Sequence, residues 1–138
     1  MSTILINKVA IKYSLLILFF FFISVSADAK TLAKIKVDRQ KVELGIIYND
    51  DPIKVFYINV TNKGKENLVI SKVQPDCDCT TAEFSRANIS PKGKSQIKVV
   101  VNLTGFLYGD IVKRIAIYSN AKKSPIIVTV TGKIIYKN

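Results

Sequence analysis

Two cysteines, one residue apart in Cys77-Asp78-Cys79-Thr80, are the only thiols of this chain, and it contains no histidine. Thiol chemistry is therefore the one reactive centre on offer, because the commonest general base and metal ligand is missing. At strand spacing, residues i and i+2 place their Cα atoms about 6.5 Å apart. That is the upper edge of disulfide geometry, and a turn would bring the pair nearer to about 5.5 Å. Closing so small a loop stabilises by about 1.6 kcal/mol at most, so a structural staple is a weak reason for the bond. Asp76 and Asp78 flank the thiols, and their charge raises thiol pKa values, the reverse of what a redox catalyst uses.

Three readings of the pair stand side by side. One is a disulfide with a local conformational role. The second is a thiol pair for a partner's thiol or for a soft ion such as Cu(I) or Zn(II), and the third is a free or redox-active pair. A closed four-ligand metal site at Cys77 and Cys79 would have to borrow Asp76, Asp78 or a second chain, since Met1 is the only methionine.

The elements that position this pair begin after an apolar N-terminus. Lys8 and Lys12 precede the nine apolar residues Leu15 to Ile23, and Ala27-Asp28-Ala29 supplies small residues where signal peptidase reads, with Val25-Ser26-Ala27 as a second option. Residues 1–29 are thus expected to be a cleavable signal peptide. A retained anchor is the alternative, but Tyr13 to Ala27 is short of the roughly 20 residues that cross a bilayer as a helix. The implied location is exported: periplasm, or cell surface and medium.

Charge constrains the partners. The 138 residues carry 21 Lys and Arg against 10 Asp and Glu, a net charge of +11. Cleavage after Ala29 removes Lys8, Lys12 and Asp28, so 19 basic and 9 acidic residues remain, a net charge of +10. Export makes anionic lipids, glycans or acidic proteins the counter-surfaces, rather than nucleic acid. The plain alternative is that the surplus serves solubility.

After the leader the chain reads as strands throughout. A lead-in strand is expected near Ala33 to Val37, within an N-terminal lead-in of 30–41. Seven strands follow over Val42–Ile47, Lys54–Asn62, Leu68–Gln74, Thr80–Phe84, Gln96–Leu103, Ile111–Ser119 and Ile126–Tyr136. Period-two alternation directs Phe56, Ile58 and Val60, then Ile97, Val99 and Val101, then Ile115 and Ile117, then Ile126, Val128, Val130 and Ile134 inward, and Lys54, Tyr57, Asn59 and Thr61 outward. Asn62-Lys63-Gly64 and Pro91-Lys92-Gly93 supply residues tolerant of positive φ, and Ser119-Asn120 can start an Asx-type turn. The fold class is all-β: an immunoglobulin-like antiparallel β-sandwich of about seven strands over 42–138. With no tryptophan and two cysteines too close to bridge sheets, it lacks the Cys…Trp…Cys framework of antibody domains.

If successive strands alternate up and down, the loops gather at two unlike ends. One end collects Lys63, Lys65, Lys92, Lys94, Lys122 and Lys123, a basic pole that is either an anion-binding surface or a set of ordinary solvated turns. The other collects Asp50, Asp51, the Asp76–Cys79 segment and Phe106-Leu107-Tyr108 with Asp110 behind. Phe106, Leu107 and Tyr108 either fold back over the sandwich or form a contact patch.

Several blocks appear in a familiar order: Phe56-Tyr57-Ile58-Asn59-Val60-Thr61-Asn62, Leu68-Val69-Ile70 with Val73, Cys77-Asp78-Cys79-Thr80, Ile89-Ser90-Pro91-Lys92-Gly93, Gly109 ahead of Lys113, Ser119-Asn120 and Gly132. Over Val42 to Ile135 the chain resembles the bacterial exported Ig-like family catalogued as domain of unknown function 1573. The resemblance implies an immunoglobulin-like sandwich in the envelope, related in shape to domains used for protein contacts, and it implies no established activity. That family usually shows Cys-Gly-Cys-Thr, whereas Asp78 stands here in place of the glycine; aspartate tolerates left-handed φ better than most residues.

The residues favour a non-catalytic exported module that contacts an envelope protein or a surface polymer, with no cofactor. There is no Gly-rich phosphate loop and no nucleophile beside a base. The alternative is a thiol-based redox or soft-metal-handling protein centred on Cys77 and Cys79.

Overall fold

The computed structural model describes residues 33–137; the expected signal peptide, 1–29, lies outside them. Nine strands follow one another: β1 (Ile35–Val37), β2 (Lys41–Tyr48), β3 (Ile53–Asn62), β4 (Leu68–Pro75), β5 (Thr80–Phe84), β6 (Asn88–Ile89), β7 (Lys94–Asn102), β8 (Gly109–Ser119) and β9 (Ile126–Ile135). The seven expected strands are there, joined by the short lead-in β1 and the two-residue β6. They form a four-stranded sheet ordered β1-β3-β7-β5 and a five-stranded sheet ordered β2-β9-β8-β4-β6. Lettered from β2 as A, the sheets read B-E-D and A-G-F-C, which is the immunoglobulin arrangement except that A joins G, F and C instead of B, E and D.

One pairing departs from the expected antiparallel pattern. β2 runs parallel to β9, from Lys41 opposite Thr129 to Tyr48 opposite Ile135. The cause is a crossover. β1 pairs antiparallel with β3 only through Val60–Asn62, then residues 38–40 carry the chain to the other sheet. There β2 meets β9 instead of continuing along β3. A register shift between Glu43 and Ile46 keeps Val42 and Ile47 both inward despite their odd spacing.

The core is the two inward faces. Ile58 and Val60 of β3, Ile97, Val99 and Val101 of β7, Ile115 and Ile117 of β8, and Val128 and Val130 of β9 are completely enclosed. β-Branched residues at alternating positions produce this, since they suit the pleated backbone and fill the space between sheets. Two expectations are corrected. Lys54 shares the inward parity of Phe56 and Ile58, and its stem is mostly covered while its ammonium reaches Asp51 at the strand end. Asn62 is the inward continuation of Ile58 and Val60, fully buried, and its side chain closes the turn by accepting from Gly64 N–H, without positive φ at any of residues 62–64.

The loops do gather at two ends. At one, Leu103 N–H donates to Pro52 O (3.0 Å), Asn102 N–H to Cys79 O (2.8 Å), and Lys137 N–H to Asn49 Oδ1 (3.0 Å). Segments 49–52, 76–79 and 103–108 therefore share this end with the C-terminal residues. At the other end, Lys63 N–H donates to Lys34 O (2.7 Å), Asn62 N–H to Gly93 O (3.0 Å) and Ile70 N–H to Ala87 O (2.8 Å). This end holds residues 33–34, 63–67, 85–93 and 120–125.

Candidate functional site

The cysteine segment is a tight turn between β4 and β5. Thr80 N–H donates to Cys77 O (3.0 Å), while Asp76 N–H holds to Arg114 O (3.0 Å) on β8 and Asn102 N–H to Cys79 O on β7. Anchored to both sheets, the turn brings the Cα atoms of Cys77 and Cys79 to 5.1 Å, and the two sulfurs are bonded. The Cys79 N–H also donates to Cys77 Sγ (3.0 Å). Both cysteines are half-buried, and Asp76 and Asp78 point to solvent. Asp78 is not left-handed: among the described non-glycine residues only Lys92 has positive φ, so this turn does not need a glycine. With the sulfurs spent on each other, no thiolate is offered to a metal or substrate in this state. Among the described residues, no three Cys, Asp or Glu side chains converge as metal ligands.

The expected contact loop divides. Gly105 and Gly109, at φ 79° and 132°, bracket it in conformations that other residues rarely adopt. Between them Phe106 folds back onto the core, with Lys113 Nζ 4.8 Å from its ring centre. Leu107 and Tyr108 stand out, 77% and 75% exposed. Tyr108 meets Tyr136 edge to face, with centroids 6.4 Å apart, and Lys137 Nζ lies 6.0 Å from the Tyr48 ring centre. Beside them is a cleft of about 230 Å³ lined by Tyr48, Asn49, Pro52, Thr104, Phe106 and Tyr136. The sequence reading caught Leu107 and Tyr108 but missed Tyr48 and Tyr136. Both sit at strand ends, where an outward aromatic looks like ordinary alternation.

The acids at this end are partly neutralised. Lys54 pairs with Asp51, and Lys137 with Asp50 at 3.3 Å. Asp110 lies opposite Lys133 across β8 and β9. The expected electrical polarity is therefore carried mainly by the lysine end. All six expected lysines, Lys63, Lys65, Lys92, Lys94, Lys122 and Lys123, are there and exposed. Lys34 and Arg86 join them, and Glu66 is the only carboxylate among those segments.

Two asparagines organise the lysine end, beyond the turns expected at Asn62-Lys63-Gly64 and at Ser119-Asn120, where Ser119 Oγ accepts from Ala121 N–H (3.4 Å). Asn62 Nδ2 donates to Glu66 O (2.7 Å) and Ile89 O (2.9 Å), while its Oδ1 accepts from Gly64 N–H (2.9 Å) and Lys34 N–H (3.4 Å). Asn120 does not close its own turn. Its Oδ1 accepts from Val69 N–H and its Nδ2 donates to Asn67 O, both at 2.9 Å, tying the β8–β9 loop to β4. The left-handed residue of Pro91-Lys92-Gly93 is Lys92 (φ 63°), not Gly93. Gly93 is there for space, since a Cβ would lie 2.8 Å from Ser90 O. The inward parity of Ile58, Val60 and Asn62 was the signal that could have exposed the first asparagine.

A family model described as "Protein of unknown function (DUF1573)" matches residues 35–134. No curated protein matches the sequence. Among solved structures, a protein of unknown function from Porphyromonas gingivalis W83 superposes with a TM-score of 0.68 at 18% identity, over 78% of this chain and 50% of that one. A family 123 glycoside hydrolase from Clostridium perfringens gives 0.63 at 5% identity, over 78% of this chain and 28% of the enzyme. The ASH/PapD-like domain 7 of human CEP192 gives 0.54 at 11% identity, over 84% of this chain and 99% of that domain. At these identities the likeness is one of fold, and this chain spans half or less of the first two.

Proposed function

The chain belongs to the DUF1573 family, whose description carries no activity, and on the geometry above we propose that it is a non-catalytic, exported module that binds a protein partner. The observation that carries this reading is the exposed tip of Leu107 and Tyr108 beside a cleft lined by Tyr48 and Tyr136, with Tyr108 packed edge to face on Tyr136. Exposed tyrosines beside an apolar tip are the composition found at the centre of protein interfaces, because the ring buries a large area at little entropic cost while its hydroxyl finds a partner.

Chemistry is poorly supported at the same end. The disulfide is flanked by carboxylates, and Asp50 and Asp51 are held by lysines instead of facing each other across a substrate. Catalysis by paired carboxylates needs one of them poised as an acid.

The test is site-directed photo-crosslinking in the native host, with the reactive group at Leu107 or Tyr108 and, as a comparison, at Lys98 on a strand face. A discrete adduct at the first two positions, absent at Lys98, supports the reading. Equal or absent labelling at all three overturns it. In a Cys77→Ser/Cys79→Ser background the adduct should persist; its loss would return the thiol pair to the centre.

A further inference from the structure

We infer that the opposite end of the sandwich is a docking face for an anionic phospholipid bilayer. Eight basic residues, Lys34, Lys63, Lys65, Arg86, Lys92, Lys94, Lys122 and Lys123, share that end with Glu66 alone. None of the eight takes part in an ion pair among the described residues, whereas Asp50 and Asp51 at the other end are both paired. Solubility does not need this segregation. Interspersed charges of both signs serve it as well, and crowding like charges onto one end adds self-repulsion. A counter-surface removes that repulsion.

Two further observations select the surface. Lys92 occupies a left-handed conformation that glycine would adopt without strain, and the chain nevertheless places an ammonium there. The described chain also enters at this end: Lys34 O accepts from Lys63 N–H, and the apolar run Leu15–Ile23 ends ten residues before Ala33. Lys34 thereby joins the cluster where the described residues begin. The loops bearing the lysines are fixed to one another through Asn62 and Asn120, so their backbones present the charges in a set arrangement and no loop has to be ordered on contact.

Each basic group at an anionic membrane surface strengthens binding about fivefold, within a Debye length of about 10 Å at 0.1 M salt. The probe is a vesicle of phosphatidylglycerol and phosphatidylcholine in equal parts, offered to residues 30–138. That segment suffices because Thr31–Asn138 forms a compact unit with its own core. Co-sedimentation should show binding that disappears on pure phosphatidylcholine and weakens steeply with salt. The Lys63→Gln/Lys92→Gln/Lys122→Gln variant should bind on the order of a hundredfold more weakly. A control with the same change in net charge, Lys72→Gln/Lys98→Gln/Lys133→Gln on the strand faces, should bind at most a few-fold more weakly. Equal losses in the two triples would overturn the inference, because net charge would then suffice. Binding to dextran sulfate or DNA without binding to the vesicles would also overturn it. Urea unfolding midpoints of both triples verify that the fold is intact, and Lys→Arg at the same three positions, which keeps the charge, should restore binding.

Discussion

Asn62 shows how much of one pole can depend on a single amide. Its buried side chain fills all four of its hydrogen-bonding positions, joining the N-terminal entry, the β3–β4 turn and β6. Asn62→Ala strands the buried Ile89 carbonyl and removes three part-buried hydrogen bonds, which is destabilising by about 2 kcal/mol; the urea midpoint should fall accordingly, while far-ultraviolet dichroism stays that of a β-sandwich. Asp38 acts at the crossover in a different way. Burial works to raise its pKa, but hydrogen bonds from the Asn59 side chain and backbone N–H, with Arg39 alongside, outweigh it and leave the carboxyl below its ordinary value. A group with a lowered folded pKa contributes stability above its unfolded pKa and loses it as pH falls through the folded one. Asp38→Asn should therefore be less stable than the parent at pH 7, by only a few tenths of a kcal/mol because these contacts are exposed and screened, and the gap should close as pH is lowered below the ordinary carboxylate range. The disulfide adds little by comparison. Closing three residues accounts for about 1.6 kcal/mol at most, so Cys77→Ser/Cys79→Ser should shift the urea midpoint less than Asn62→Ala does.

At the scale of elements, the strands were legible in the sequence because alternation has one simple cause, a face in water and a face in the core. β3, β7, β8 and β9 needed nothing else. The β1–β2 crossover was not legible, because it depends on which neighbour each half of the lead-in meets, and no local pattern of residues encodes that choice. The parallel pairing of β2 with β9 makes Gly132 a contact point: a Cβ there would lie 2.9 Å from Ile47 Cδ1 and 3.3 Å from Gly45 O. Gly132→Ala is expected to be destabilising by about 1–2 kcal/mol through overpacking, and Ile47→Val in the same chain should recover part of that loss by removing the crowding methyl. The crossover also leaves β3 open. No described strand pairs with Ile53–Ile58 on the side that β1 abandons, and Ile53, Val55 and Tyr57 are half-exposed on its outer face. Such an edge is a template for edge-to-edge association. Val55→Lys should leave the urea midpoint within about 0.5 kcal/mol of the parent and lower light scattering of concentrated solutions.

For the whole molecule, the consequence of strand alternation is two chemically distinct ends held apart by rigid sheets. β3 alone has ten residues, about 33 Å at 3.3 Å per residue, several times the Debye length at 0.1 M salt. Among the described residues no side-chain hydrogen bond or ion pair joins the two ends, so coupling between them would have to pass through the sheets. Lys92 and Lys122 were placed together by counting strands, which needed only parity. The tyrosine cap was half missed, because Tyr48 and Tyr136 come together only through the β2–β9 pairing. Independence has a measurable form. Leu107→Ala/Tyr108→Ala removes the apolar tip while leaving all eight lysine-end cations in place, so vesicle affinity should stay within about twofold of the parent, since distant sites without shared partners add to within about 0.5 kcal/mol. The lysine triple should likewise keep the photo-crosslinked adduct at Tyr108. If the tip variant instead releases the protein from vesicles, the apolar end is itself the membrane contact, inserting Leu107 beside its tyrosines, and the orientation inferred for the sandwich is reversed.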